Sequence, residues 1–88
     1  MKQGVVERTR PGPRLVLYSR NYCHLCEDML AALRGELRFQ LEVVDVDADP
    51  EIEQRYDELV PVLMHGDREL ARWRLDADAL RADLADIG

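Results

Sequence analysis

One sequence feature most constrains the fold of this chain. A short apolar segment is followed, within four residues, by an amphipathic helical pattern. Residues 14–19 (RLVLYS) form an apolar, β-branched run between a proline and Asn21, which predicts a buried strand. From Cys23 onward the apolar side chains recur at helical spacing and fall on one stripe: Cys23, Cys26, Met29/Leu30, Leu33 and Leu37. The sequence therefore predicts a strand followed by a helix whose core-facing side carries both cysteines.

The rest of the chain continues this alternation of strands and helices. Residues 39–47 predict a second strand, and Asp49–Pro50 supply an N-cap and a first helical residue. Residues 60–64 and 68–74 predict two strands joined by a turn, and a C-terminal helix capped by Asp76 follows. In the order β-α-β-α-β-β-α, the first β-α-β unit predicts parallel strands and the hairpin an antiparallel pair, so we expect a four-stranded mixed sheet.

Length and charge limit the protein to a few classes. Eighty-eight residues suffice for one domain, which we assign to residues 14–88, with residues 1–13 as a flexible N-terminal tail. Twelve Lys and Arg against 18 Asp and Glu give a net charge of −6, which argues against nucleic acid and anionic membranes as partners. No apolar run reaches the roughly 18 residues of a membrane span, and no signal-peptide core follows Met1, so we expect a cytoplasmic protein.

The pair Cys23 and Cys26 carries the chemistry of the sequence. Two cysteines are too few for a disulfide scaffold, and a C-x-x-C in a cytoplasmic chain indicates redox or metal chemistry. Because the first turn of a helix has unpaired N–H groups and a positive dipole end, it stabilises a thiolate, so we expect Cys23 to react first. Cys26 lies one turn along the core-facing stripe and is expected to react second. Residues i and i+3 of a helix are about 5–6 Å apart, within reach of a disulfide.

The residues alone leave several alternatives to a redox dithiol open. The cysteines can be ordinary small hydrophobes on a buried helix face. They can belong to a zinc centre, although the sequence lacks the second ligand pair of a closed zinc site. They can also hold an iron–sulfur cluster in a dimer that Cys23 bridges. We assign no metal ligands. The domain can also be a non-catalytic binding module.

Charged and aromatic residues flank the cysteine pair. Arg20 and a protonated His24 favour a thiolate at the start of the helix, whereas the carboxylates of its first turn oppose it. We expect Tyr22 to cover the rim of the dithiol and Trp73 to serve packing rather than recognition.

At these residues the chain resembles glutaredoxins. YSRNYCHLC is similar to the segment in which the first strand of a glutaredoxin runs into its C-x-x-C. DVDADPEI and the step Val60–Pro61–Val62 are similar to the corresponding stretches of glutaredoxins and thioredoxins, where the proline is cis and faces the dithiol. The resemblance runs from about Arg14 to the C-terminus and is closest to small bacterial glutaredoxin-like proteins. It implies a thioredoxin-like, three-layer α/β sandwich of the glutaredoxin type and the activity of a thiol–disulfide oxidoreductase.

The resemblance also implies roles for individual residues. Cys23 corresponds to the nucleophile and Cys26 to the resolving thiol. A cis Pro61 would allow the backbone of Val60 to pair with a peptide or glutathione, and Arg20 stands where a glutaredoxin lysine can meet a glutathione carboxylate. We therefore expect the substrate to contact Arg20, Tyr22, His24, Val60 and Pro61.

Cofactor and partners follow from the same resemblance. We expect no bound cofactor, with glutathione as a candidate co-substrate, and a monomer that acts in cell redox homeostasis. Its expected partners are a disulfide-containing protein or glutathione and a cellular thiol reductant, with no nucleic acid and no membrane. The chain departs from the glutaredoxin pattern at His24–Leu25, where Pro-Tyr or Pro-Phe is usual. It also departs at residues 71–75, which replace a Gly-Gly-x-Asp-Asp stretch and leave Asp76 as the nearest carboxylate.

Overall fold

The computed structural model describes residues 4–8, 11–36 and 38–87. Within these ranges the chain forms five strands, three α-helices and two short 3-10 turns. In chain order they are β1 (Gly4–Arg8), β2 (Arg14–Ser19), α1 (His24–Arg34), β3 (Gln40–Asp45), a 3-10 turn (Val46–Ala48), α2 (Pro50–Tyr56), a 3-10 turn (Asp57–Leu59), β4 (Val62–His65), β5 (Arg68–Arg72) and α3 (Ala77–Ile87). From β2 onward this is the predicted order β-α-β-α-β-β-α. No helix among the described residues is long and apolar enough to cross a membrane.

The strands form one mixed sheet in the order β1-β3-β2-β4-β5. β2 and β3 are parallel, with Arg14 opposite Gln40, and α1 connects them. β4 is antiparallel to β2, with Leu63 opposite Leu17, and β5 pairs with β4 at the edge of the sheet. β2 therefore lies at the centre of the sheet, and its carboxyl end leads to Cys23.

Helices pack on both faces of the sheet, because successive residues of a strand point to opposite sides. On one face Leu17 belongs to a core that includes Leu33 of α1 and Leu80 of α3. On the other face Tyr18 stacks on Tyr56 of α2, with ring centroids 4.2 Å apart. The main core consists of Leu15, Leu17, Met29, Leu33, Phe39, Leu41, Leu63, Leu80 and Leu84. A second cluster beside the dithiol consists of Cys26, Val46 and Val60. The arrangement has the three layers expected from the sequence.

The predicted four-stranded sheet is wrong by one strand. Gly4–Arg8, which we assigned to the flexible tail 1–13, pairs antiparallel with β3 as an edge strand. Its two large apolar side chains, Val5 and Val6, are 68% and 51% exposed. Because β1 is held by backbone pairing and buries no apolar face, the sequence carries no periodic signal for it. The predicted tail at positions 1–3, 9 and 10 lies outside the described residues.

Two strands end earlier than their sequence patterns predict. β3 ends at Asp45 rather than Asp47, because the Asp45 carboxylate accepts a hydrogen bond from the N–H of Asp47 at 2.9 Å and turns the chain. β5 ends at Arg72 rather than Arg74, because Trp73 has a left-handed backbone with φ of 68°. Side-chain hydrogen bonding and local backbone geometry, rather than hydropathy, set both ends.

Candidate functional site

The two cysteines lie where β2 gives way to α1. Tyr22, with φ of 60°, turns the chain out of the strand, and Cys23 is the extended N-cap residue of the helix. The Cys23 Sγ atom accepts a hydrogen bond from the backbone N–H of Cys26 at 3.1 Å. The cysteines form a disulfide with their Cα atoms 5.2 Å apart, within the spacing predicted from the sequence. The cap of the helix and one half of the disulfide are thus the same sulfur atom.

The two sulfurs differ in exposure. Cys26 is buried, at 4% exposure, in the cluster that contains Val46 and Val60. Cys23 is half-buried and packs against the outside of that cluster. This order of exposure is the one predicted, and it leaves Cys23 as the sulfur that a second molecule can approach.

The segment before β4 lies beside Cys26. The Val60–Pro61 peptide bond is cis, and both residues are buried. Val60 shares an apolar cluster with Cys26, so the structure brings together two positions that are 34 residues apart in sequence. The Pro61 carbonyl oxygen accepts a hydrogen bond from the N–H of Trp73 at 2.8 Å, which joins this segment to the end of β5.

Arg20 is surrounded by carboxylates of its own chain. Its Nε atom donates to both oxygens of Asp47 at 3.1 and 3.2 Å, and its Nη2 donates to Asp57 at 3.0 Å. Glu53 lies 3.6 Å from the same Nη2. The hydrogen bonds to Asp57 and Asp47 raise the pKa of the Arg20 guanidinium. An anion that approaches Arg20 therefore meets a net negative surface, and the structure uses this side chain to join the end of β2 to the turn that precedes Val60.

Tyr22 and His24 flank Cys23 and are both exposed. Tyr22 does not cover the rim of the dithiol, as the sequence led us to expect, because its ring is fully exposed. Its left-handed backbone points the side chain away from the core, a geometry that hydropathy does not reveal.

Trp73 is the site residue that the sequence analysis missed. We expected packing, but its side chain is 49% exposed, and its indole Nε1 donates to the backbone oxygen of Glu58 at 3.4 Å. The N–H of Arg74 donates to the oxygen of Arg72 at 2.7 Å, which closes a tight turn with Trp73 at its centre. The sequence signal that could have indicated this role is a tryptophan between two arginines at the end of a short strand.

A groove lies between α1 and the segment that contains Trp73. It measures about 300 Å³ and is lined by Leu25, Asp28, Met29, Ala32, Trp73, Arg74 and Leu75. Leu25 stands between the two cysteines in sequence and is 41% exposed. The groove therefore runs from Leu25, the neighbour of both cysteines in sequence, to Trp73, and neither cysteine lines it.

A pair of stacked tyrosines lies beside the buried cysteine. Tyr18 and Tyr56 both pack against the cluster that contains Cys26, with their rings inclined by 17°. Burial raises the pKa of Tyr18, and the neighbouring Tyr56 raises it further. The Tyr18 hydroxyl therefore stays protonated throughout the range in which a thiol titrates.

Asp76 and Asp49 accept hydrogen bonds from backbone N–H groups of their own segments. Asp76, the nearest carboxylate to the place of the glutaredoxin Gly-Gly-x-Asp-Asp stretch, accepts hydrogen bonds from the N–H groups of Asp78 and Ala79. Asp49 accepts from the N–H of Glu51 at the start of α2. In the part of the chain that the structure describes, no group of three or more His, Cys, Asp and Glu side chains is placed to hold a metal ion.

Comparisons with known proteins place this geometry among its relatives. Residues 14–85 match the model of a family described as a glutaredoxin-like domain, DUF836. An uncharacterized protein of Mycobacterium tuberculosis is 32% identical over 81 residues, which cover 83% of this chain and 84% of that protein. An uncharacterized protein of Mycobacterium bovis matches with the same identity and coverage.

A solved structure shares both fold and sequence with the chain. The X-ray structure of XcR50, a structural-genomics target protein from X. campestris, superposes with a TM-score of 0.61 at 38% sequence identity. The match covers 84% of this chain and 99% of that one. With the family match, it identifies the sheet and its helices as the thioredoxin-like fold of the glutaredoxin type, with one more strand than predicted.

Proposed function

The chain belongs to the glutaredoxin-like domain family, DUF836, and from that premise we propose that it catalyses thiol–disulfide exchange with Cys23 as nucleophile and Cys26 as resolving thiol. The observation that carries the proposal is the asymmetry of the pair. One sulfur is the half-buried cap of a helix, and its disulfide partner is buried one turn further on.

The first step uses the reduced protein. The Cys23 thiolate attacks one sulfur of a substrate disulfide, a bond forms between the two sulfurs, and the other substrate sulfur leaves as a thiolate that takes a proton from water. The N–H of Cys26, which points at the Cys23 sulfur, stabilises the attacking thiolate by a charge-assisted hydrogen bond. The positive end of α1 acts in the same direction.

The second step releases the substrate. The Cys26 thiol loses its proton to solvent and attacks Cys23, the mixed disulfide breaks, and the remaining substrate sulfur leaves as a thiolate. Two electrons have then passed from the protein dithiol to the substrate disulfide, and the protein holds the Cys23–Cys26 disulfide. A cellular thiol reductant, acting by the same chemistry in reverse, restores the dithiol.

We place the substrate between Cys23 and the segment Val60–Pro61. The packing of Val60 on the Cys26 cluster supports this position, since it sets the segment beside the reacting sulfurs. Tyr22 and His24 are exposed on the approach to Cys23 and remain in the proposed contact set. Arg20 acts in this proposal as a positioning residue, because it fixes Asp57 in the turn before Val60.

Trapping with single mutants tests the two roles. Cys26→Ser retains the nucleophile and lacks the resolving thiol, so it should accumulate a mixed disulfide with a protein disulfide substrate, seen as a reducible mass increase. Cys23→Ser is the matched control and should trap little. Equal trapping by both mutants would contradict the assignment of the roles.

A redox titration tests the proposal against a non-catalytic module. An exchanging dithiol should be reduced and reoxidised reversibly at a potential between about −150 and −300 mV. A pair that cannot be cycled anywhere in this range would favour the binding module instead.

A further inference from the structure

Among the described residues, three of the five exposed large hydrophobic side chains lie next to the cysteines in sequence or line the groove that starts at Leu25. In the described ranges, five large hydrophobic residues are exposed: Val5, Val6, Tyr22, Leu25 and Trp73. The two valines lie on the edge strand β1, and the other three border the site: Tyr22 precedes Cys23, Leu25 separates the cysteines, and Trp73 lies across the groove. An apolar surface of this kind at a reactive centre indicates contact with an apolar part of the substrate.

The backbone holds both aromatic residues outward. Tyr22 and Trp73 are the two non-glycine residues with positive φ in the described part of the chain, at 60° and 68°. A bulky residue rarely adopts this conformation, and such residues cluster at functional sites. The Trp73 backbone is fixed by its hydrogen bond to Pro61, so the exposed indole is anchored to the segment beside the dithiol.

Charges of both signs border this surface, and carboxylates follow the cysteine pair directly in the sequence. Glu27 and Asp28 follow Cys26 on the first turns of α1, and within the described ranges neither carboxylate has an ion-pair partner. Arg20 is already paired with carboxylates of its own chain. Arg74 lines the groove, and Arg72, which is paired with Glu69, lies 6.0 Å from the centre of the Trp73 ring. The whole chain carries a net charge of −6. A cationic group of the substrate is therefore attracted to Glu27 and Asp28, whereas the two carboxylates of glutathione are repelled by them.

We propose that the substrate is a polypeptide disulfide with a bulky apolar side chain next to the reacting cysteine and basic residues nearby, rather than glutathione disulfide. The inference rests on the proposed exchange reaction. The apolar side chain enters the groove between Leu25 and Trp73, while the basic residues face Glu27 and Asp28. Trp73 is the specificity-determining residue of this arrangement.

Four model substrates test the proposal. Each is a mixed disulfide with the same chromogenic aromatic thiol, whose release reports the rate of exchange. The first carries the reference peptide Ala-Arg-Phe-Cys-Arg-Ala. In the second peptide Ser replaces Phe, and in the third Glu replaces both Arg. The fourth substrate is the mixed disulfide of glutathione with the same thiol. Loss of a partly buried phenyl ring should lower kcat/KM about tenfold. Charge reversal should lower it about fivefold at low salt, and glutathione should react more slowly than the reference peptide.

Substitutions of Trp73 test whether this residue causes the preference for the Phe peptide. Trp73→Ala should lower kcat/KM for the Phe peptide about tenfold, leave the Ser peptide within about twofold and leave the redox potential unchanged. Trp73→Phe should restore most of the preference. Val6→Ala removes a similarly exposed apolar side chain from the opposite edge of the sheet and should change nothing.

The outcomes separate this inference from the proposed function. Equal rates for the four substrates, or a preference for glutathione, would overturn the inference alone. An equal loss of rate on all substrates in Trp73→Ala would overturn the specificity role of Trp73. A wild-type protein that exchanges with none of them would overturn the proposed function and this inference with it.

Discussion

Gly12 shows how one residue fixes the path of the chain into β2. Its φ is 123°, and a Cβ atom built on it would lie 2.1 Å from the backbone oxygen of Arg38. A side chain is therefore excluded twice, by the backbone conformation and by the contact with a segment that leads into β3.

Gly12→Ala should lower the free energy of unfolding by about 2–3 kcal/mol, because both the conformation and the close approach to Arg38 must change. Thermal denaturation would show this as a loss of about 10 °C or more. Gly66→Ala is the control, since Gly66 has φ of 57° with nothing within 4 Å of a Cβ atom and should cost about 1 kcal/mol. Equal losses in the two variants would show that the Arg38 contact contributes nothing.

Tyr18 links the tyrosine stack to the pH dependence of stability. Burial raises the pKa of Tyr18 in the folded protein above the ordinary value of about 10. The unfolded chain therefore loses this proton first as the pH rises, and the stability present below pH 10 declines until the pH passes the folded pKa. Urea denaturation of wild type and Tyr18→Phe across this range should show a shallower decline in the variant. Identical declines would contradict the burial of the hydroxyl.

Among the strands and helices, those with a periodic pattern of apolar residues could be predicted from the sequence, and the strand without such a pattern could not. α1, α3 and the inner strands each bury a periodic set of side chains, such as Met29 and Leu33 of α1, so their patterns predict them. β1 buries none, and it appears only when its backbone pairs with β3. The early end of β5 likewise depends on the left-handed backbone of Trp73, which no apolar pattern encodes.

Removal of residues 1–8 tests what the edge strand contributes. No core residue comes from β1, so the shortened chain should fold, with a midpoint of thermal denaturation lowered by about 5 °C. Loss of β1 turns β3 into an edge with unpaired backbone groups, so light scattering should show association at high concentration. Val5→Lys keeps the backbone pairing and is the control, expected to stay dispersed. A truncated protein that scatters no more than this control would show that β1 does not protect β3.

Over the whole molecule, the site is assembled from segments that lie far apart in the chain. The cysteine pair could be predicted because its chemistry is local to the end of one strand and the start of one helix. The carboxylates around Arg20 come from residues 47–57, and Trp73 reaches the site only through the fold. The cysteine pair was thus readable from the sequence, and the surroundings that we propose to select the substrate were not.

The position of the Cys23 sulfur at the start of α1 affects how fast its thiolate can attack a disulfide. It starts α1 by accepting the Cys26 N–H, so any strengthening of that hydrogen bond stabilises both the helix and the thiolate. A more stable thiolate is also a weaker nucleophile, because nucleophilicity falls with pKa. While the pKa of the thiol lies above the ambient pH, a stronger hydrogen bond therefore raises both the stability of the reduced fold and the rate of attack, because the fraction of thiolate grows faster than its nucleophilicity falls. Once the pKa lies below the ambient pH, further stabilisation at this atom slows the attack.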